Sequence, residues 1–219
     1  AETCLDRLLK EGAIPFFKLG QEDVTDQFHI PQKLFHRGKE IEALLTAYDC
    51  ISLGEKEVAI VSGYEGIGKS SLVREIQKTV VNRGGNFISG KFDRIKRDIP
   101  YEPIIHAFRK LVLQLLSQSQ DSVAYWSEIL INALGTNGQV IVEVIPELEL
   151  IIGKQPLLPE LPSVESRNRF NMVFHNFVDV FSSKNHPLVI FLDDLQWADV
   201  PSLKLIELIM ATPDDNYLL

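Results

Sequence analysis

The chain has 219 residues and a formal net charge of −8, with 45% hydrophobic and 24% charged residues. That is enough for one α/β domain with a full core, and too apolar for intrinsic disorder. The acidic balance argues against unaided nucleic-acid binding, two cysteines are too few for a disulfide framework, and no apolar run is long enough to cross a bilayer.

Leu5, Leu8 and Leu9 ahead of Gly12 suggest a short helix, and residues 14–33, with Pro15, Gly20 and Pro31, read as an extended connector. Ile41, Leu44, Leu45 and Tyr48 have helical spacing, and the pattern stops near Gly54. Val58-Ala59-Ile60-Val61 is a short β-branched run leading into glycines, the pattern of a buried strand. A helix over 70–81 follows, with Leu72, Val73, Ile76 and Val80 on one side, then a second strand over 86–90.

Helices are expected over 102–117 and 123–134, and a further apolar stretch over 140–152 is broken by Pro146. Residues 156–162 hold three prolines and read as a loop. Phe170, Val173, Phe174, Phe177, Val178 and Phe181 recur at three and four residues, an amphipathic helix whose stripe is core. Leu188-Val189-Ile190-Phe191-Leu192 is the clearest strand, a helix over 202–211 follows, and Asn216-Tyr217-Leu218-Leu219 looks like the start of another strand. Strands alternating with helices predict an α/β fold with a mostly parallel sheet covered on both faces. With no start methionine and a strand just beginning at its end, the chain reads as a segment of a longer polypeptide, truncated at the C-terminus.

Gly63-Tyr64-Glu65-Gly66-Ile67-Gly68-Lys69-Ser70 fits G-x-x-x-x-G-K-[ST] at every fixed position. Glycines let the backbone curl so that successive N–H groups face phosphate oxygens, and the following helix adds its positive end. Lys69 is expected at the β- and γ-phosphates and the Ser70 hydroxyl on Mg²⁺. A phosphate site of this kind needs an acidic partner at a neighbouring strand end. Asp193 and Asp194, directly after the 188–192 run, supply one: Asp193 for Mg²⁺ and Asp194 to polarise the attacking water. The 124 residues from Lys69 to Asp193 leave room for a helical insertion over about 101–152.

With both motifs placed, the chain resembles the AAA-type ATPases of the STAND class of signalling NTPases. The stretches that carry the likeness are 62–73, with Ser71-Leu72-Val73 after the loop, and Leu192-Asp193-Asp194-Leu195-Gln196-Trp197-Ala198-Asp199. Ile30-Pro31-Gln32-Lys33-Leu34, Ser89-Gly90-Lys91-Phe92-Asp93, Ile99-Pro100-Tyr101 and Asn168-Arg169-Phe170-Asn171 narrow it further. They look like the ATPase segment of multi-sensor proteins that join a serine/threonine kinase-like domain to this ATPase and then to sensor and histidine-kinase domains.

The resemblance implies a P-loop three-layer sandwich over 34–219 and a connector over 1–33 that follows the kinase-like domain. It also implies ATP and Mg²⁺ as ligands, nucleotide contacts along 63–71 including Ser71, and neighbouring kinase and sensor domains as partners. Its aromatic-Gly-Arg-Glu element near adenine aligns with Phe35-His36-Arg37-Gly38-Lys39-Glu40, where Arg37 matches and His36 and Gly38 depart. The expected function is a slowly hydrolysing ATP-dependent switch in a cytoplasmic signalling kinase, this segment being weakly active or inactive alone. A DNA-associated loader ATPase and a non-hydrolysing nucleotide-bound scaffold are the alternatives. The five histidines lack metal-ligand spacing, Trp197 reads as packing beside the second motif, and Arg94, Lys96 and Arg97 read as a solvated basic loop.

Overall fold

The computed structural model describes residues 37–95, 99–211 and 217–219. The expected N-terminal helix and connector over 1–33, and Phe35, His36, Lys96 and Arg97, lie outside the described residues.

Helix α1 (Gly38–Ile51) precedes the glycine-rich loop, and α2 (Lys69–Asn82) follows it. Strand β1 (Asn86–Lys91) then leads into a long helical passage: α3 (Glu102–Leu116), α4 (Gln120–Leu134), α5 (Gly138–Val142), α6 (Glu149–Ile152) and α7 (Ser163–Phe181). Strand β2 (Leu188–Asp193) and helix α8 (Val200–Ala211) complete the order. The result is an α/β fold, dominated by helices, with a small parallel sheet. β1 and β2 pair in parallel from Asn86↔Leu188 to Lys91↔Asp193.

Period-two alternation on these strands sends side chains to opposite faces. Ile88, Leu188, Ile190 and Leu192 belong to the core built with α3–α8, whereas Phe87 and Val189 pack with α1 and α2. The first core is the larger and rests on aromatic rings. Phe108, Phe174, Phe177 and Phe181 are fully buried, Phe108 meets Phe174 edge-on at 5.5 Å, and Trp126 stacks on Phe181 at 5.4 Å. The stripe from Phe170 to Phe181 is therefore core, as its spacing implies. Phe177→Ala is expected to destabilise the domain by about 3–5 kcal/mol, read as a lower urea midpoint with unchanged slope.

Close backbone packing sets α3 against β1. A Cβ at Gly90 would lie 2.4 Å from the carbonyl oxygen of Pro103, so only glycine lets the start of α3 approach the strand. Gly90→Ala is expected to force that helix end outward at about 1–3 kcal/mol, visible as a lowered Tm. Pro146 interrupts the 140–152 stretch as predicted, with a 3-10 turn between α5 and α6.

Two expectations need correction. Residues 58–61 are not part of the sheet: Val58 is 65% and Ile60 84% exposed. A parallel neighbour would have to lie between them and β2. Leu218 does so opposite Lys56 and Leu188, and Glu57 N–H donates to its carbonyl at 3.0 Å, but no described residue continues that line alongside 58–61. The expected terminal strand is accordingly a pair of bridges at Leu218. Helix α7 also begins at Ser163, ahead of the first stripe residue. Residues 163–165 are exposed, so an apolar pattern could not reveal this first turn.

Candidate nucleotide site

Helix α2 starts without a side-chain cap: its N-cap is Gly68, in the left-handed region at φ 94°. Gly66 has φ 80°, and together these glycines permit a turn that β-carbons would oppose. The first N–H groups of any α-helix lack acceptors within it, so Lys69 and Ser70 present donors at this end. Lys69 curls over its own loop, donating from Nζ to the carbonyls of Gly63 at 2.9 Å and Tyr64 at 3.0 Å. Tyr64 and Glu65 lie exposed on the outer bend. Ser71 donates its N–H to Gly68 at 3.1 Å and so belongs to the helix start.

Across from the loop stands the end of β2. Ser70 and Asp193 line the same cavity of about 500 Å³, which the sheet face and α2 enclose. Asp193 Oδ1 accepts the Asp194 N–H at 3.0 Å, a bond that fixes the carboxylate's orientation. Its Oδ2 and the Ser70 hydroxyl have no hydrogen-bond partner among the described residues. A hydroxyl and a carboxylate oxygen are hard donors of the kind Mg²⁺ accepts, so this pair fits that ion.

Asp194 differs from its neighbour. It adopts the left-handed conformation, φ 55° and ψ 42°. Oδ2 pairs with Lys91 Nζ at 3.2 Å and Oδ1 accepts from Gln196 Nε2 at 3.0 Å. The Lys91 hydrogen bond first, then that of Gln196, holds the Asp194 carboxyl below the ordinary carboxylate range, and the same contact raises Lys91. The Lys91 partnership follows from sheet register, since Lys91 lies opposite Asp193. Sequence reasoning assigned Lys91 no role because nothing local reports which strands are neighbours.

On the other side of the loop, Arg37 donates to the Ile67 carbonyl at 3.2 Å and pairs with Glu40 at 2.9 Å. It lines a cavity of about 310 Å³ with Leu44, Ile60, Gly68 and Leu72. The glycine-rich loop thus lies between two hollows, one lined by both acids and bases beside β2, one largely apolar and beside α1. Arg94 is solvent-exposed, as expected of that basic loop, and its guanidinium meets the Trp197 ring at 5.5 Å. After the 3-10 turn Leu195–Trp197 comes Asp199, whose Oδ1 accepts the Ser202 N–H at 2.7 Å at the start of α8.

The fold and this loop place the chain among the ATPases: residues 33–219 match the AAA ATPase domain family, and the chain belongs to it. Membership implies nucleotide binding, usually with Mg²⁺. Over 204 residues the chain is 43% identical to Hybrid signal transduction histidine kinase G of Dictyostelium discoideum, covering 93% of this chain and 6% of that protein. It is 21% identical over 213 residues to Histidine protein kinase 1 of Candida albicans, covering 91% and 8% respectively. Both relatives are named as histidine kinases, and the chain spans less than a tenth of either. No solved structure matches it. Among the described residues no helix is long and apolar enough to cross a membrane.

Proposed function

We propose that this chain is the ATP-dependent regulatory switch of a multidomain signalling kinase. The observation that carries the reading is the uncapped start of α2, where Lys69 curls over the glycine-rich loop and Ser70 lines a cavity with Asp193. Backbone N–H groups along 63–71 and the Lys69 ammonium hold the β- and γ-phosphates, a P-loop arrangement within a larger three-layer sandwich. Ser70 Oγ and Asp193 would hold Mg²⁺, which would supply neutralisation of the phosphate charge. Adenine occupies the hollow beside α1, where Arg37 closes one wall.

Asp194 takes a proton from the water that attacks the γ-phosphate, in a slow hydrolysis whose outcome is a different arrangement of domains. Residues 1–33 connect to a preceding kinase-like domain, and the output passes to kinase and sensor domains of the same polypeptide in the cytoplasm. The likeness to two histidine kinases and the acidic balance of the chain favour this over a DNA-loading role.

Two titrations test the reading. Mg-ATP is expected to give saturable one-to-one binding by calorimetry, with Mg-ADP competing. Duplex DNA is expected to give none at physiological salt. DNA binding that weakens steeply with salt would move the assignment to the loader class.

A further inference from the structure

The hollow beside β2 extends well past Ser70 and Asp193. Between α2 and α3 its floor is made by Phe87 and Phe191, and its walls carry both acids and bases. The acids have local compensation. Asp93 accepts the Ile95 N–H at 2.9 Å, Asp193 accepts that of Asp194, and Glu102 sits in the first turn of α3, where the helix end favours a carboxylate.

Apart from Arg74, the bases are less satisfied. His106 and Lys110 lie one turn apart on α3, both exposed, and neither has a hydrogen-bond or ion-pair partner among the described residues. Lys91, a third lining base, has Asp194 as its ion-pair partner among the described residues. Its side chain is 67% exposed, and a solvent-facing ion pair of this kind contributes little to stability. Such a pair exchanges readily when another anion is presented. It also ties a side chain lining this cavity directly to the Asp194 carboxylate.

We propose that the hollow between α2, β1 and α3 is a regulatory site for a ligand bearing a carboxylate or phosphoryl group. The ligand lies over Phe87 and Phe191, is held by Lys110 and His106, and draws Lys91 away from Asp194. In the structure both oxygens of Asp194 are engaged, Oδ2 by Lys91 and Oδ1 by Gln196. Release of Lys91 returns Oδ2 to accept a proton from water, so occupancy of the hollow accelerates hydrolysis. This consequence rests on the switch reading; the binding site does not.

O-Phospho-L-serine and succinate serve as probes, titrated by calorimetry into protein saturated with Mg-ADP and, separately, into nucleotide-free Lys69→Ala protein. At least one probe is expected to bind saturably in both, and the double variant His106→Ala, Lys110→Ala to weaken it at least tenfold. Preference for one probe tells phosphoryl from carboxylate chemistry. The bound probe is expected to raise ATP turnover several-fold. Lys91→Met is expected to raise basal turnover and to abolish the response, while Lys91→Arg restores both. Absence of binding by either probe, binding indifferent to the double variant, or an unchanged turnover with probe bound would overturn the proposal. If Mg-ADP itself does not bind, the nucleotide reading fails by its own titration, and the Lys69→Ala arm still decides the anion site.

Discussion

Replacing Lys69 by alanine is expected to weaken Mg-ATP binding on the order of a hundredfold while leaving the fold in place. The ammonium reaches back across the loop to the carbonyls of Gly63 and Tyr64, so it is already stationed over the curve of the cradle. Phosphate oxygens are stronger acceptors than these carbonyls, and a hydrogen bond to a charged group contributes about 1.5–3 kcal/mol net. Losing it accounts for a drop of one to two decades in affinity. Alanine is the best helix former and Lys69 is the first residue of α2, so circular dichroism should not change. Calorimetry beside a thermal melt checks both halves. An affinity within threefold of the parent would remove Lys69 from the site.

Asp194→Asn is expected to lower ATP turnover by about 10²–10⁴-fold without a matching loss of nucleotide affinity. Asparagine keeps the shape and tolerates the left-handed conformation that Asp194 adopts, but it cannot take a proton. The pH dependence has a definite sign. Because Lys91 and Gln196 lower the Asp194 pKa, the group remains ionised through the neutral range. Its small contribution to stability is present above the unfolded-state value and is lost as pH falls through the lowered folded value. Stability at pH 7 should therefore change little in the variant, since the Lys91 pair is solvent-facing. Single-turnover kinetics with saturating Mg-ATP separate chemistry from binding. Equal turnover in parent and variant would leave the non-hydrolysing scaffold as the better description.

The parts of the molecule legible in the sequence are those where local chemistry decides the structure. The helix bearing Leu72, Val73, Ile76 and Val80 buries those four residues, and the aromatic stripe ending at Phe181 forms the core, because helical spacing reports burial directly. The phosphate-binding pattern likewise falls on a helix start, where its glycines are needed for backbone conformation. What stayed hidden depends on neighbours distant in sequence. Residues 58–61 have strand composition, yet whether they pair depends on chain running beside them, and the Leu218 contacts reach only Lys56 and Glu57. The Lys91–Asp194 pair arises from the register of β1 on β2, which no spacing rule contains. Arg37 could be aligned with an adenine-side position, but its bond to the Ile67 carbonyl depends on how α1 packs beside the loop.

The most direct test of the central claim is a structure of this chain with Mg²⁺ and a non-hydrolysable ATP analogue. The account predicts phosphates within hydrogen-bonding distance of the 66–70 N–H groups and of Lys69, with the metal between Ser70 Oγ and Asp193. Nucleotide bound away from the start of α2, or a metal whose ligands include neither Ser70 nor Asp193, would contradict it.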